Sequence, residues 1–167
     1  MSLIVQKYGG TSVGDVDRIR HVSRRVCRYV NEGHQVVVVV SAMSGETNRL
    51  IGLGEEIAHG SPSAREMYVL TASCEQVSNA LVSLALKNEG VVGISLLADQ
   101  IKIHTNPLFG RARIEKIETE RLLRILVGGG VPVVAGFQGV DAEGNITTLG
   151  RGGSDTSAVA LAAALGA

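Results

Sequence analysis

The sequence predicts an α/β fold, a three-layer αβα sandwich built on a mostly parallel central sheet. Short apolar runs alternate with amphipathic stretches along the chain, the pattern of strands joined by crossover helices. The run 36–40 is all valine, as expected for a strand covered by helices on both faces. Hydrophobic residues make up 45% and charged residues 19%, so 167 residues can enclose one sizeable core.

Residues 3–8 read as the first strand, and 9–14 as a glycine-rich turn. Asp15 or Asp17 starts a helix in which Ile19, Val22, Val26, Tyr29 and Val30 recur at helical spacing, and Gly33 ends it. The strand 36–40 follows. Residues 47–59 and 63–87 predict two helices, the second with an apolar stripe of Met67, Leu70, Cys74, Val77, Leu81 and Leu84. Residues 91–97 predict a strand, and 101–103 and 112–117 two short ones. A helix over 120–127 stops at Gly128-Gly129-Gly130, and 131–136 is a buried strand. A polar turn at 141–145 precedes a strand at 146–149. Ser154 is the expected N-cap of a last helix, 155–165. Residues 158–167 carry no charge, which predicts burial all round. Either further chain or a partner chain covers that helix, or it docks on its own sheet. There is no internal repeat or linker, so 1–167 is read as one unit.

Charge is balanced at 16 basic and 16 acidic residues, and there are 2 Phe and no Trp. Neither a nucleic-acid nor a membrane partner is expected. Cys27 and Cys74 read as reduced packing thiols, and no signal peptide precedes the first strand, so a cytoplasmic setting is expected. The four histidines lack ligand spacing, and no protein metal site is expected. Gly-x-Ser-x-Gly, Gly-x-x-x-x-Gly-Lys and the dinucleotide glycine fingerprint are all missing.

Ligands of open parallel sheets collect beyond the carboxyl ends of the strands. Lys7 stands there, directly before Gly9 and Gly10, whose backbone N–H groups can approach a phosphate with a helix dipole behind them. Arg151-Gly152-Gly153-Ser154-Asp155 forms a second such loop. Arg151 suits bidentate binding of a carboxylate, or is a surface arginine. Asp155 either complements its helix dipole or orients Lys7. Glu75 is the only charge between Glu66 and Lys87. It pairs with a ligand's ammonium if buried, or faces solvent beside Gln76 and Ser78. Ser41 and Thr47 follow a strand end and offer hydroxyls, or serve as turn and cap residues. Phe137 walls the pocket, presents its backbone, or packs in the core.

The stretches Lys7-Tyr8-Gly9-Gly10-Thr11-Ser12-Val13 and Thr147-Thr148-Leu149-Gly150-Arg151-Gly152-Gly153-Ser154-Asp155-Thr156 together resemble the aspartate kinases of the amino-acid kinase superfamily. Val38-Val39-Val40-Ser41-Ala42-Met43, Glu75-Gln76-Val77-Ser78 and residues 133–140 match in the same order. The resemblance implies phosphoryl transfer from ATP to the side-chain carboxylate of L-aspartate, giving 4-phospho-L-aspartate on the way to lysine, threonine and methionine. It implies Lys7 and Asp155 as catalytic residues, with Gly9, Gly10, Thr11 and Ser12 around the phosphates and Mg²⁺ bridging those phosphates. It places Ser41, Thr47, Glu75, Phe137, Arg151, Gly152 and Ser154 around aspartate. It identifies 1–167 as the N-terminal, substrate-binding part of the kinase domain, with the nucleotide-binding half and the ACT regulatory domains outside it. The chain alone is then expected to be inactive, and to be completed by further chain, a partner chain or a second copy. Cys74 stands where the family has Gly, Leu97-Ala98-Asp99-Gln100 replaces Thr-Gly-x-Gln, and Asn106 and Phe109 replace Asp and His. These departures keep open a non-catalytic amino-acid-binding module or pseudo-kinase.

Overall fold

The computed structural model describes residues 1–167. In chain order the elements are β1 (Leu3–Tyr8), α1 (Val16–Asn31), β2 (Gln35–Val40), α2 (Glu46–Ile57), α3 (Ala64–Asn88), β3 (Gly93–Leu96), β4 (Ile103–Thr105), β5 (Ile114–Ile117), α4 (Glu120–Val127), β6 (Val131–Ala135), β7 (Gln138–Val140), β8 (Ile146–Thr148) and α5 (Gly153–Leu165).

The central sheet runs β1-β2-β6-β3, and every neighbouring pair is parallel. Side chains alternate across it, as the strand period of two requires. Val36, Val38 and Val40 pack with Ile19, Val22 and Val26 of α1 and Val82 and Leu86 of α3. Val37 and Val39 face the other way, toward Leu122 and Leu126 of α4 and Ala158 and Leu161 of α5. Both faces of the valine run are therefore buried, and the αβα sandwich is complete at this strand.

The sequence reading missed a second sheet, β5-β4-β7-β8, which lies beside the first. Its β7 is only three residues, Gln-Gly-Val, too short and too polar to signal a strand. Gly139 is required there, because a Cβ would run into the Thr105 side chain.

The stripe expected on α3 is also different. Val77 is 53% and Leu84 63% exposed, whereas Thr71, Glu75, Ser78 and Asn79 are buried. Backbone groups at the strand ends hold Glu75, Ser78 and Asn79, while Thr71 Oγ1 donates to the Met67 carbonyl of its own helix. Ser78 Oγ donates to the Ser41 carbonyl at 2.7 Å, and Asn79 Nδ2 to the Leu96 carbonyl at 3.0 Å. Gln138 Nε2 donates back to the Ala72 carbonyl at 3.1 Å. A buried polar side chain is tolerated when it is paired in this way. Helix α3 is long and apolar enough to cross a membrane by composition, and half of that stretch is buried inside the protein, as in a core helix.

Helix α5 docks on its own sheet and buries one face through Ser157, Ala158 and Leu161. Its other face is open, with Val159 70% exposed.

Candidate active site

The parallel sheet brings its strand ends to one edge. Lys7 is the last residue but one of β1, Ser41 follows β2 and Phe137 lies just beyond β6. The loop into α5 folds over the same edge. A cavity of about 220 Å³ forms there, lined by Lys7, Ser41, Thr47, Glu75, Phe137, Gly150, Arg151, Gly152, Gly153, Ser154 and Asp155. That is below the roughly 300–1,000 Å³ of pockets for drug-sized ligands, and it suits a small polar molecule. Only one lining residue, Phe137, is hydrophobic.

Lys7 lies on the face of β1 that turns toward α5, and its Nζ is 2.8 Å from Asp155 Oδ1. The side chains are 27% and 69% exposed, so the pair contributes little to stability, at most about 1 kcal/mol for such surface pairs. Its value is geometric, because each charge fixes the other at the cavity wall.

Glu75 projects from the buried face of α3 and is 5% exposed. Its Oε1 accepts a hydrogen bond from the Ala42 N–H at 3.1 Å. Its Oε2 is buried and has no partner. Burial pushes the carboxyl pKa up to about 7, against a smaller opposing effect of backbone hydrogen bonds, that from Ala42 among them. The solvent-facing reading of Glu75 therefore fails. A carboxylate with a free oxygen in a polar cavity is a receptor for a cation or a donor.

The Arg151 loop owes its shape to glycine. Gly150 and Gly152 have φ of 79° and 76°, in the left-handed region that side chains disfavour. Gly152, not Ser154, caps α5, and it makes no side-chain cap bond. Ser154 lies within the first turn, buried against Gly136, where an added Cβ would come within 2.9 Å of the Ser154 Cβ. The N–H groups of Arg151, Gly152 and Ser154 have no backbone acceptor. They lie at a helix N-terminus, the end that attracts anions.

Phe137 carries a φ of 71°, unusual for a residue with a side chain. Its N–H donates to Ser157 Oγ at 3.1 Å, and its carbonyl accepts from the Leu149 N–H at 2.9 Å. A Cβ on Gly153 would lie 2.8 Å from the Phe137 ring. Ring and helix start are thus in close contact. Gly150 and Gly153 line the cavity as well; Gly153 was read as part of the second loop, and neither was named as a site residue.

The amino acid kinase family model matches residues 2–167. The chain belongs to the amino acid kinase family. It is 55% identical over 165 residues to the aspartokinase of Pseudomonas aeruginosa, covering 99% of this chain and 40% of that protein. The chain thus spans about 40% of the length of the curated relatives it matches. Among solved structures it is similar to the aspartate kinase of Synechocystis, with a TM-score of 0.83 and 51% identity over 99% of this chain and 27% of that one. It also resembles Escherichia coli aspartokinase III in complex with aspartate and ADP, with a TM-score of 0.88 and 27% identity over 100% of this chain and 47% of that one.

The amino acid kinase loop after β1 adjoins the cavity without lining it. Gly9 has room for a Cβ only 3.5 Å from Lys7 Nζ, and a Cβ on Gly10 would lie 2.8 Å from the Ala42 carbonyl oxygen. The N–H groups of Gly9, Gly10 and Thr11 have no backbone acceptor. Thr11 and Ser12 line a neighbouring cavity of about 230 Å³ with Tyr8, Arg18, His21, Val22 and Arg25. Nine of the predicted site residues therefore share one cavity, and Gly9, Gly10, Thr11 and Ser12 stand outside it, next to Lys7.

The residues that depart from the aspartate kinase pattern are built into the amino acid kinase scaffold. Cys74 is buried, and burial raises its thiol pKa, so it packs as an inert side chain. Gln100 Oε1 accepts from the Leu97 N–H at 2.9 Å and closes its turn. Asn106 Oδ1 accepts from the Arg113 N–H at 3.0 Å, and Asn106 N–H donates to the Arg113 carbonyl at 3.2 Å.

Proposed function

We propose that this protein is the N-terminal, substrate-binding part of an aspartate kinase, which transfers a phosphoryl group from ATP to the side-chain carboxylate of L-aspartate. The observation that carries the reading is the unpartnered, buried Oε2 of Glu75, in the same small cavity as Lys7 and Arg151. An α-ammonium group gives that oxygen its missing donor. Arg151 supplies a fork for the α-carboxylate, with the free N–H groups of the α5 start beside it. The side-chain carboxylate then points to Lys7.

Lys7 and the free amides of Gly9, Gly10 and Thr11 fit the transferred phosphoryl group, with the hydroxyls of Thr11 and Ser12 next to them. Phosphoryl transfer relies mainly on positioning and on charge stabilisation, which these groups provide. Asp155 fixes the Lys7 ammonium and keeps it aimed. Ser41, Thr47 and Ser154 offer hydroxyls to aspartate, and Phe137 shields one side. Mg²⁺ would be held through the phosphates of ATP, where it would neutralise charge. Cytoplasmic amino-acid biosynthesis, with the lysine branch as its outlet, belongs to the same reading.

Hydroxylamine trapping of aspartyl phosphate tests this. The 167-residue chain alone gives little or no product, and the protein extended to its relatives' length gives ATP- and aspartate-dependent product. Aspartate binding without any turnover in the extended protein would instead establish a non-catalytic module.

A further inference from the structure

Three glycines, 150, 152 and 153, surround Arg151, and a glycine-rich loop is intrinsically free to wander. A support lies behind it, outside the cavity. Tyr68, in the first turns of α3, stacks on Phe109 of the loop between β4 and β5, with ring centroids 5.8 Å apart and planes within 1°. Both rings are half-buried. The next residue, Gly110, has a φ of 77°, and a Cβ there would overlap the Tyr68 hydroxyl, so the ring rests directly on the Gly110 backbone. The Gly110 carbonyl oxygen in turn lies 2.8 Å from where a Cβ on Gly150 would be.

Two backbone bonds fix the ends of this contact. Ala112 N–H donates to the Thr148 carbonyl at 3.0 Å, just before the Arg151 loop. Gly153 N–H donates to the Gly150 carbonyl at 3.0 Å, just after Arg151. Helix α3, the ring stack, Gly110 and Gly150 therefore form a continuous file of contacts that ends at Arg151. Neither Tyr68 nor Phe109 lines the cavity.

We infer that the Tyr68–Phe109 stack is a positioning element that holds the Arg151 loop in its ligand-binding shape. It reduces the ordering cost of binding and tunes affinity for the ligand's carboxylate without touching the ligand. The inference rests on the amino-acid-binding reading of the cavity.

Calorimetry with L-aspartate on four chains tests it: the wild type, Phe109→Ala, Arg151→Ala and the double variant. Phe109→Ala is expected to weaken binding about two- to tenfold, the range that the worth of an aromatic pair spans, and Phe109→Tyr restores it. The double variant binds no more weakly than Arg151→Ala alone, because the stack acts only through that loop. A general loss of packing would instead give additive losses, and additive losses overturn the inference. Wild-type affinity in Phe109→Ala overturns it as well. If Phe109→Ala does not fold, Tyr68→Leu, which keeps an apolar cover, is read in the same way. A wild type that does not bind aspartate sinks the amino-acid reading itself and is distinguishable from both outcomes.

Discussion

Glu75 Oε1 and the Ala42 N–H, 3.1 Å apart, tie helix α3 to the end of β2 and leave the other carboxylate oxygen buried without a partner. Its raised pKa makes the pair a pH-dependent element. The folded carboxyl holds its proton up to about pH 7, while in the unfolded chain it ionises near its ordinary value of 4.5. Between these values the folded state binds more protons, so the ligand-free protein loses stability as pH rises through this window and levels off above it. Glu75→Gln removes the dependence. At pH 8 the variant is the more stable, by at most about 3 kcal/mol, and at pH 4 the difference vanishes. Urea unfolding at both pH values checks it.

Ligand binding reverses the protonation. An ammonium group beside Glu75 favours the carboxylate, so at pH 6 binding of aspartate releases close to one proton. Calorimetry in two buffers of different ionisation enthalpy reads that number directly, and Glu75→Gln brings it to zero. Proton uptake by the wild type would contradict the assignment.

Lys7 carries a different kind of effect. Its ion pair with Asp155 is solvent-exposed, so Lys7→Ala changes stability by less than about 1 kcal/mol. Aspartyl phosphate formation in the extended protein falls about 100- to 1,000-fold, the usual loss for a group that stabilises developing charge. Aspartate affinity stays within a few-fold. Steady-state kinetics and a thermal melt on the same sample separate the two.

Much of this site was legible in the sequence because its parts are local. Lys7-x-Gly-Gly and Arg151-Gly-Gly-Ser-Asp each combine a charge with glycines at a strand or helix end, where ligands gather. Glu75 stood out as the lone charge between Glu66 and Lys87. The missed features are tertiary. The inward face of α3 reads as Thr71, Glu75, Ser78 and Asn79 only once the strand-end carbonyls that bind Ser78 and Asn79 are in place. The left-handed backbone of Phe137 is imposed by Ser157, Leu149 and Gly153, and no propensity announces it. The β7 strand exists because β4 and β8 flank it, not because Gln138-Gly139-Val140 favours a strand.

Gly10 shows how closely two site loops approach. A Cβ there would meet the Ala42 carbonyl oxygen at 2.8 Å, a backbone atom that cannot swing aside. Gly10→Ala is therefore expected to cost about 1–3 kcal/mol, as overpacking does. Because Ala42 also holds Glu75, the variant weakens aspartate binding too. Gly33→Ala serves as the comparison: it lies in open space with a φ of 86°, so it carries the backbone cost alone and leaves aspartate affinity unchanged.

The central claim is that the cavity between Lys7, Glu75 and Arg151 is an aspartate site. Calorimetric titration of the 167-residue chain with L-aspartate, L-glutamate, L-alanine and succinate tests it most directly. The account predicts that L-aspartate binds best, that succinate fails for want of an ammonium group, that alanine binds more weakly for want of the side-chain carboxylate, and that Arg151→Ala weakens binding about tenfold, to a level still measurable. Equal binding of succinate and aspartate, or aspartate binding untouched by both Glu75→Gln and Arg151→Ala, would contradict it.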